Sequence, residues 1–195
     1  MFPIEQVMCL AETLRRLDTH DEDLKVVQLL GMRLFNAFGA SLKLSLSGYI
    51  QNAAMIMRDI LETHFLIDLF QGDRKMIEKW RLADKKTQRD LFSPVAVRLA
   101  LDERDGFTSR RRAEHYRTFS ELAAHPNMKS VFMMRPSPDG DAVIGPFIES
   151  STLSAIIAEL GRLAVLVGEK LDHFFPEDWK EAKPTRRLFA KAHED

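Results

Sequence analysis

Arg58 and Glu62 stand four residues apart in the segment Arg58-Asp-Ile-Leu-Glu62-Thr-His64, and their neighbours Ala54, Met55, Ile60, Leu61 and Phe65 are apolar. Residues four apart share one face of a helix, so the two side chains can pair. A charge on a largely buried helix is costly unless it is paired and hydrogen-bonded. Such a pair either fixes the register of a core helix or offers an anion-binding guanidinium and an acid/base carboxylate to a cleft. His64 lies six residues from Arg58, about 240° round an ideal helix at roughly 100° per residue, so it points elsewhere. His64 and Asp68 are again four apart and can pair on their own face.

A second group lies in Tyr116-Arg-Thr-Phe-Ser120-Glu-Leu-Ala-Ala-His125-Pro126. Tyr116 and Ser120 share one face, while Arg117, Glu121 and His125 follow another. A histidine in the last turn of a helix is favoured when charged, and it titrates near neutrality. Arg58, Glu62, Tyr116, Ser120 and His125 are therefore the expected polar cluster. If the chain is an enzyme, Arg58 with His64 or His125 are its catalytic candidates. A third group is the run Arg110, Arg111 and Arg112, where three cations oppose the dipole of the helix they open. It is either a solvated face paired with Asp102, Glu103 and Asp105 or a phosphate patch. In the second case Phe107, His115 and Tyr116 stand close enough in sequence to stack on bases.

Other chemistries lack their residues. There is no P-loop, dinucleotide glycine fingerprint, HExxH or paired Glu-x-x-His motif. Histidines at 20, 64, 115, 125, 173 and 193 show no metal-ligand spacing, and Cys9 is the one cysteine. No metal and no cofactor are expected. With 28 basic and 29 acidic residues the formal charge is -1, which argues against gripping long nucleic acid by bulk electrostatics.

These residues need long elements to position them. With 9 glycines and 8 prolines in 195 residues, punctuation is sparse. The expected fold is all-α, a bundle of about six or seven helices forming a single domain over residues 1–195. Asp21 caps a helix through Val26, Leu30, Leu34 and Phe38, and Ser93-Pro94 opens another. The helix from Ser47 to Phe70 is apolar on nearly all sides, as a central helix must be. Ser130 to Met134 and Ala142 to Gly145 flank Pro138-Asp-Gly140 and read as a short β-hairpin-like excursion near 130–145. Ser150 or Ser151 caps a long apolar helix. Residues 177–195 form a charged tail, packed through Trp179, Leu188 and Phe189. The start lacks a basic segment followed by an apolar one, and no run of about 18 uninterrupted apolar residues occurs, so no secretory leader and no membrane span are expected. A cytoplasmic address follows as the expectation.

Over about residues 45–130 the chain resembles HEPN-like all-helical bacterial proteins of unknown function. The residues that carry the resemblance are Arg58-x-x-x-Glu62 and Tyr116-x-x-x-Ser120-x-x-x-x-His125-Pro126. Many HEPN domains are dimeric, metal-independent endoribonucleases with an arginine and a histidine in one short motif. Arg58 to His64, with five residues between, fits that spacing, as does Arg110 to His115 with four. The resemblance thus implies RNA cleavage or an RNA-binding toxin or defence role, with an arginine stabilising phosphorane charge and a histidine moving the proton. The reading preferred on the residues themselves is a non-catalytic module, homodimeric, that binds a small ligand or partner protein through the polar cluster.

Overall fold

The computed structural model describes residues 2–108, 111–126, 128–135, 137 and 139–191. Within them the chain is helical throughout, with no strand. Nine α-helices follow in order: α1 Phe2–Arg15, α2 Glu22–Leu46, α3 Ile50–Gly72, α4 Lys75–Arg81, α5 Lys85–Phe92, α6 Pro94–Arg104, α7 Arg111–Phe119, α8 Ser150–Asp172 and α9 Lys183–Lys191. A π-helical turn, Ser120–Ala124, continues α7, and single 3-10 segments occupy Met128–Met134 and Lys180–Ala182.

Local signals place the long helices. Asp21 caps α2 by accepting from the backbone N–H groups of Asp23 at 2.9 Å and Leu24 at 3.2 Å. Ser93 caps α6 ahead of Pro94, accepting from the N–H of Ala96 at 3.4 Å. Between α2 and α3 the chain turns at Gly48, whose φ is +82°. A Cβ there would lie 2.7 Å from the carbonyl oxygen of Phe147, so only glycine admits that backbone approach.

The helix α3 is the axis of the bundle. It packs against α2, α6, α7 and α8, and buries Ala53, Ala54, Met57, Ile60, Leu61, Ile67 and Phe70 around its circumference. Helices α1 and α2 close one side with Val7, Leu10, Leu14, Val27, Leu34 and Phe38. From α8 come Leu160, Leu163, Ala164, Val167 and Leu171.

Three expectations are corrected. There are more helices than six or seven, because the charged stretch after Gly72 splits at Asp84 so that α5 stands alone, with only Phe92 of it buried, and because the expected tail winds into α9. No hairpin forms among the described residues of 130–145. Ser130–Met134 winds into a 3-10 turn that buries Ser130, and the one backbone bond between the two flanks is Val143 N–H to Met134 C=O at 3.0 Å. Ile144 is fully exposed, so the second flank has no apolar face to dock, and an isolated two-stranded ribbon is marginal in water. Third, the cap of α8 is neither serine: the Glu149 carboxylate accepts from the N–H groups of Ser151 at 3.1 Å and Thr152 at 2.8 Å.

The charged tail packs through α9. The ring of Phe189 lies where a Cβ on Gly168 would be, 2.1 Å from its ideal position, so the absence of a side chain at 168 seats α9 on α8. Trp179 stacks on Phe175 at 5.8 Å between centroids, whereas Leu188 is half exposed.

Candidate functional site

The polar cluster is assembled from three helices. Arg58 and Glu62 project from the same face of α3, with Nη2 and Oε1 3.0 Å apart. The same Nη2 donates to the hydroxyl of Tyr116 on α7. A third helix adds a residue that the sequence reasoning missed, Arg98 of α6, which is buried with its guanidinium 3.9 Å from the Tyr116 ring centroid. The Arg58 guanidinium lies 4.7 Å from the same centroid. One tyrosine ring therefore holds two cations by its π face, an arrangement that strengthens where water is excluded. Arg58 Nε and Arg98 Nη1 are buried and donate to no group among the described residues. A signal for Arg98 was present: it is the lone charge in Val95-Ala-Val-Arg98-Leu-Ala-Leu101, and a charge among apolar residues is also what drew attention to Arg58.

Ser120, one turn beyond Tyr116, is buried, and its hydroxyl has no hydrogen-bond partner among the described residues. Its carbonyl accepts the backbone N–H of His125 at 3.0 Å, which closes the π-helical turn and leaves the His125 side chain exposed. The structure thus brings together Arg58, Glu62 and Tyr116, with Ser120 behind and His125 at the outer end of the same element.

His64 belongs to a different cluster. It is buried on another face of α3, and its Nδ1 bonds to no group among the described residues. Burial pushes its pKa down to about 4, Lys170 and Arg112 add to that, and Asp68 opposes. The nearby Asp68 carboxylate is also buried, and is gripped by Arg104 at 3.2 Å and Lys170 at 3.0 Å. Burial alone would raise the Asp68 pKa; these two cations overcome it, and the group stays below the ordinary carboxylate value. Arg112 joins them, 2.7 Å from Asp102, bonded to Asp105, and 4.0 Å from Asp68. Of the expected phosphate patch, Arg112 is engaged by carboxylates, Arg111 is exposed, and Arg110 lies outside the described residues.

Beside the Arg58 cluster a cleft of about 510 Å³ opens between α2, α3, α4, α5 and α6. Phe65, Leu66, Trp80, Phe92 and Val97 form its apolar surface, and Arg33, Asp59, Glu62, Thr63 and Gln88 supply polar groups. Each carboxylate there is fixed: Asp59 by Arg33, Glu62 by Arg58. Thr63 donates to the Asp59 carbonyl at 2.9 Å. A second cavity of about 540 Å³ lies between α7 and α8, with His115, Thr118, Phe119 and Ile156 among its walls. No group of three or more His, Cys, Asp or Glu side chains converges among the described residues.

Comparison with protein-family models, with curated proteins and with solved structures finds no match. What the fold and site define is therefore a class: an all-α bundle with a braced polar cluster at the edge of a mixed apolar and polar cleft.

Proposed function

We propose that the chain is a non-catalytic binding module, and that its small-molecule ligand occupies the cleft between α2 and α6. The observation that carries this is the position of Glu62. It ends a chain of contacts, from Arg98 and Tyr116 through Arg58, and it also lines the cleft. Ligand sites are concave, mostly apolar and largely preformed, with a few polar groups held in place. Here Trp80, Phe65 and Phe92 suit a planar apolar body, and the Asp59 and Glu62 carboxylates suit ligand N–H or O–H donors. Arg58, Tyr116 and Arg98 then act as positioning residues for Glu62, and Ser120 and His125 complete the element that carries Tyr116.

The test is a thermal-shift screen of neutral and polar heteroaromatic compounds, followed by calorimetry on the hits. A ligand present at about 100 times its Kd stabilises the folded chain by roughly 2.7 kcal/mol, ample for a visible rise in Tm. Binding is expected to weaken at least tenfold in Glu62→Gln and in Trp80→Ala, both folded by circular dichroism. Hits whose affinity is unchanged by both substitutions refute the cleft. The alternative, a metal-independent endoribonuclease or RNA-binding toxin, is supported by the exposure of His125 on the element that carries Tyr116. It requires RNA cleavage that survives EDTA and disappears in both Arg58→Ala and His125→Ala.

A further inference from the structure

We infer that the outer face of α8 is where two copies of this chain pair, antiparallel, about a two-fold axis beside Gly161. Helix α8 is the most conspicuous apolar element left uncovered. An 18-residue window of it has a mean hydropathy of 1.5, yet 28% of that window is buried. Along its outer side runs a groove of about 850 Å³, where Ala158, Gly161, Val165 and Leu166 of α8 face Pro3 of α1. A contiguous apolar surface of this kind marks an interaction site.

Two further observations select a second copy as the occupant. The first is Gly161. It sits in the middle of a 23-residue helix, where glycine weakens the helix relative to alanine, and a Cβ there would meet nothing within 4 Å among the described residues. Packing within the chain gives no reason for a glycine at this position. Close approach of another backbone does. The second is the charge on the rim. Glu159 and Arg162 are equidistant from the midpoint between Leu160 and Gly161. Both line the cavity on the α7 side, and Arg162 lines the groove as well, which puts the pair on the groove's α7 edge. A two-fold contact sets each surface against its own copy. Antiparallel α8 helices therefore bring Glu159 of one copy to Arg162 of the other, twice. Within a single chain these residues already pair at 2.7 Å, so the dimer closes a ring of four alternating charges around the glycine contact. Arg162 borders both the groove and the α7 cavity, so the second copy also comes to stand at the mouth of that cavity.

The experiment measures the mass of the full chain by light scattering across micromolar concentrations. The expected result is twice the chain mass for the wild type and the monomer mass for Gly161→Leu with its helical spectrum intact. Glu159→Arg and Arg162→Glu are each expected to be monomeric. Mixing these two variants is expected to restore the dimer, because opposite charges then meet only across the interface while each intrachain pair stays repulsive. Should either charge variant fail to fold, Gly161→Leu decides. A wild type that is monomeric throughout, a dimer that survives Gly161→Leu, or folded charge variants that stay monomeric on mixing overturns the inference. So does a monomer that floats with phosphatidylcholine–phosphatidylglycerol vesicles, which would assign the face to a bilayer.

Discussion

His64 should make the protein acid-sensitive in a defined window. It is buried on α3 and its pKa is pushed down from the ordinary 6.5 to about 4. The groups that face it are Asp68 on its own helix, Arg112 on α7 and Lys170 on α8. In the unfolded chain the imidazole protonates as the pH falls through 6.5; in the folded chain it stays neutral until about 4. Between those values the unfolded state binds more protons, so stability falls as the pH falls, and the loss is complete below the folded value. A gap of this size corresponds to roughly 3 kcal/mol at about 1.36 kcal/mol per unit, a large part of a typical 5–15 kcal/mol total. The assay is urea unfolding of the wild type and His64→Phe at a series of pH values from 7.5 to about 4. His64→Phe is expected to lose most of the slope in that window, whatever its stability at pH 7.5. Asp68 does not blur the result, because its carboxyl is held below the ordinary 3.8 and titrates in a lower window. Equal slopes for the two proteins would refute the reasoning, since His64 would then titrate alike in both states.

Other substitutions test the packing. Asp68→Ala leaves Arg104 and Lys170 without their shared carboxylate; both are partly exposed, which lowers the penalty to about 2–3 kcal/mol in urea unfolding. Gly168→Ala places a methyl group inside the Phe189 ring, so α9 must shift; a loss of about 1–3 kcal/mol and faster proteolysis between α8 and α9 are expected. Tyr116→Phe keeps the ring under Arg58 and Arg98 and should cost less than about 1 kcal/mol. Tyr116→Ala removes both stacked contacts and should cost at least about 1 kcal/mol more than Tyr116→Phe by thermal unfolding.

Features of the fold that depend on neighbours in sequence were readable. Asp21 and Ser93-Pro94 start α2 and α6 as their chemistry requires. The run from Ser47 to Phe70 is apolar on nearly all sides because α2, α6, α7 and α8 pack around most of α3. What failed depends on neighbours in space. Residues 130–145 hold two apolar runs about Pro138-Asp-Gly140, as a hairpin would, but Ser130–Met134 finds α3 and the π-helical turn to pack against, so helical winding wins. Helix α5 was missed because Lys85–Asp90 carries no apolar stripe; its existence rests on the Asp84 cap, which accepts the Thr87 N–H at 2.7 Å, and on one buried residue, Phe92.

The site divides along the same line. Arg58 and Glu62 pair within one helix, so their contact follows from spacing alone. Tyr116 was identified as chemistry-bearing, but its meeting with Arg58 across 58 positions is a property of the α3–α7 packing. Arg98 and Asp68 share one sequence signature, a lone charge in an apolar helical run; Arg58 stands in such a run beside Asp59, and all three prove to have partners on another helix. The physical reason is that a charge cannot be buried without one, so an isolated charge in such a run implies a cross-helix contact even where the partner is unknown. The two arginines could each have found a separate carboxylate. Instead they converge on one uncharged ring, so this cluster sets two guanidinium groups against the carboxylate of Glu62. Register alone needs only the Arg58–Glu62 pair. The additional ring and cation brace Glu62, a carboxylate that also faces the cleft, and the binding role proposed for that cleft calls for such bracing.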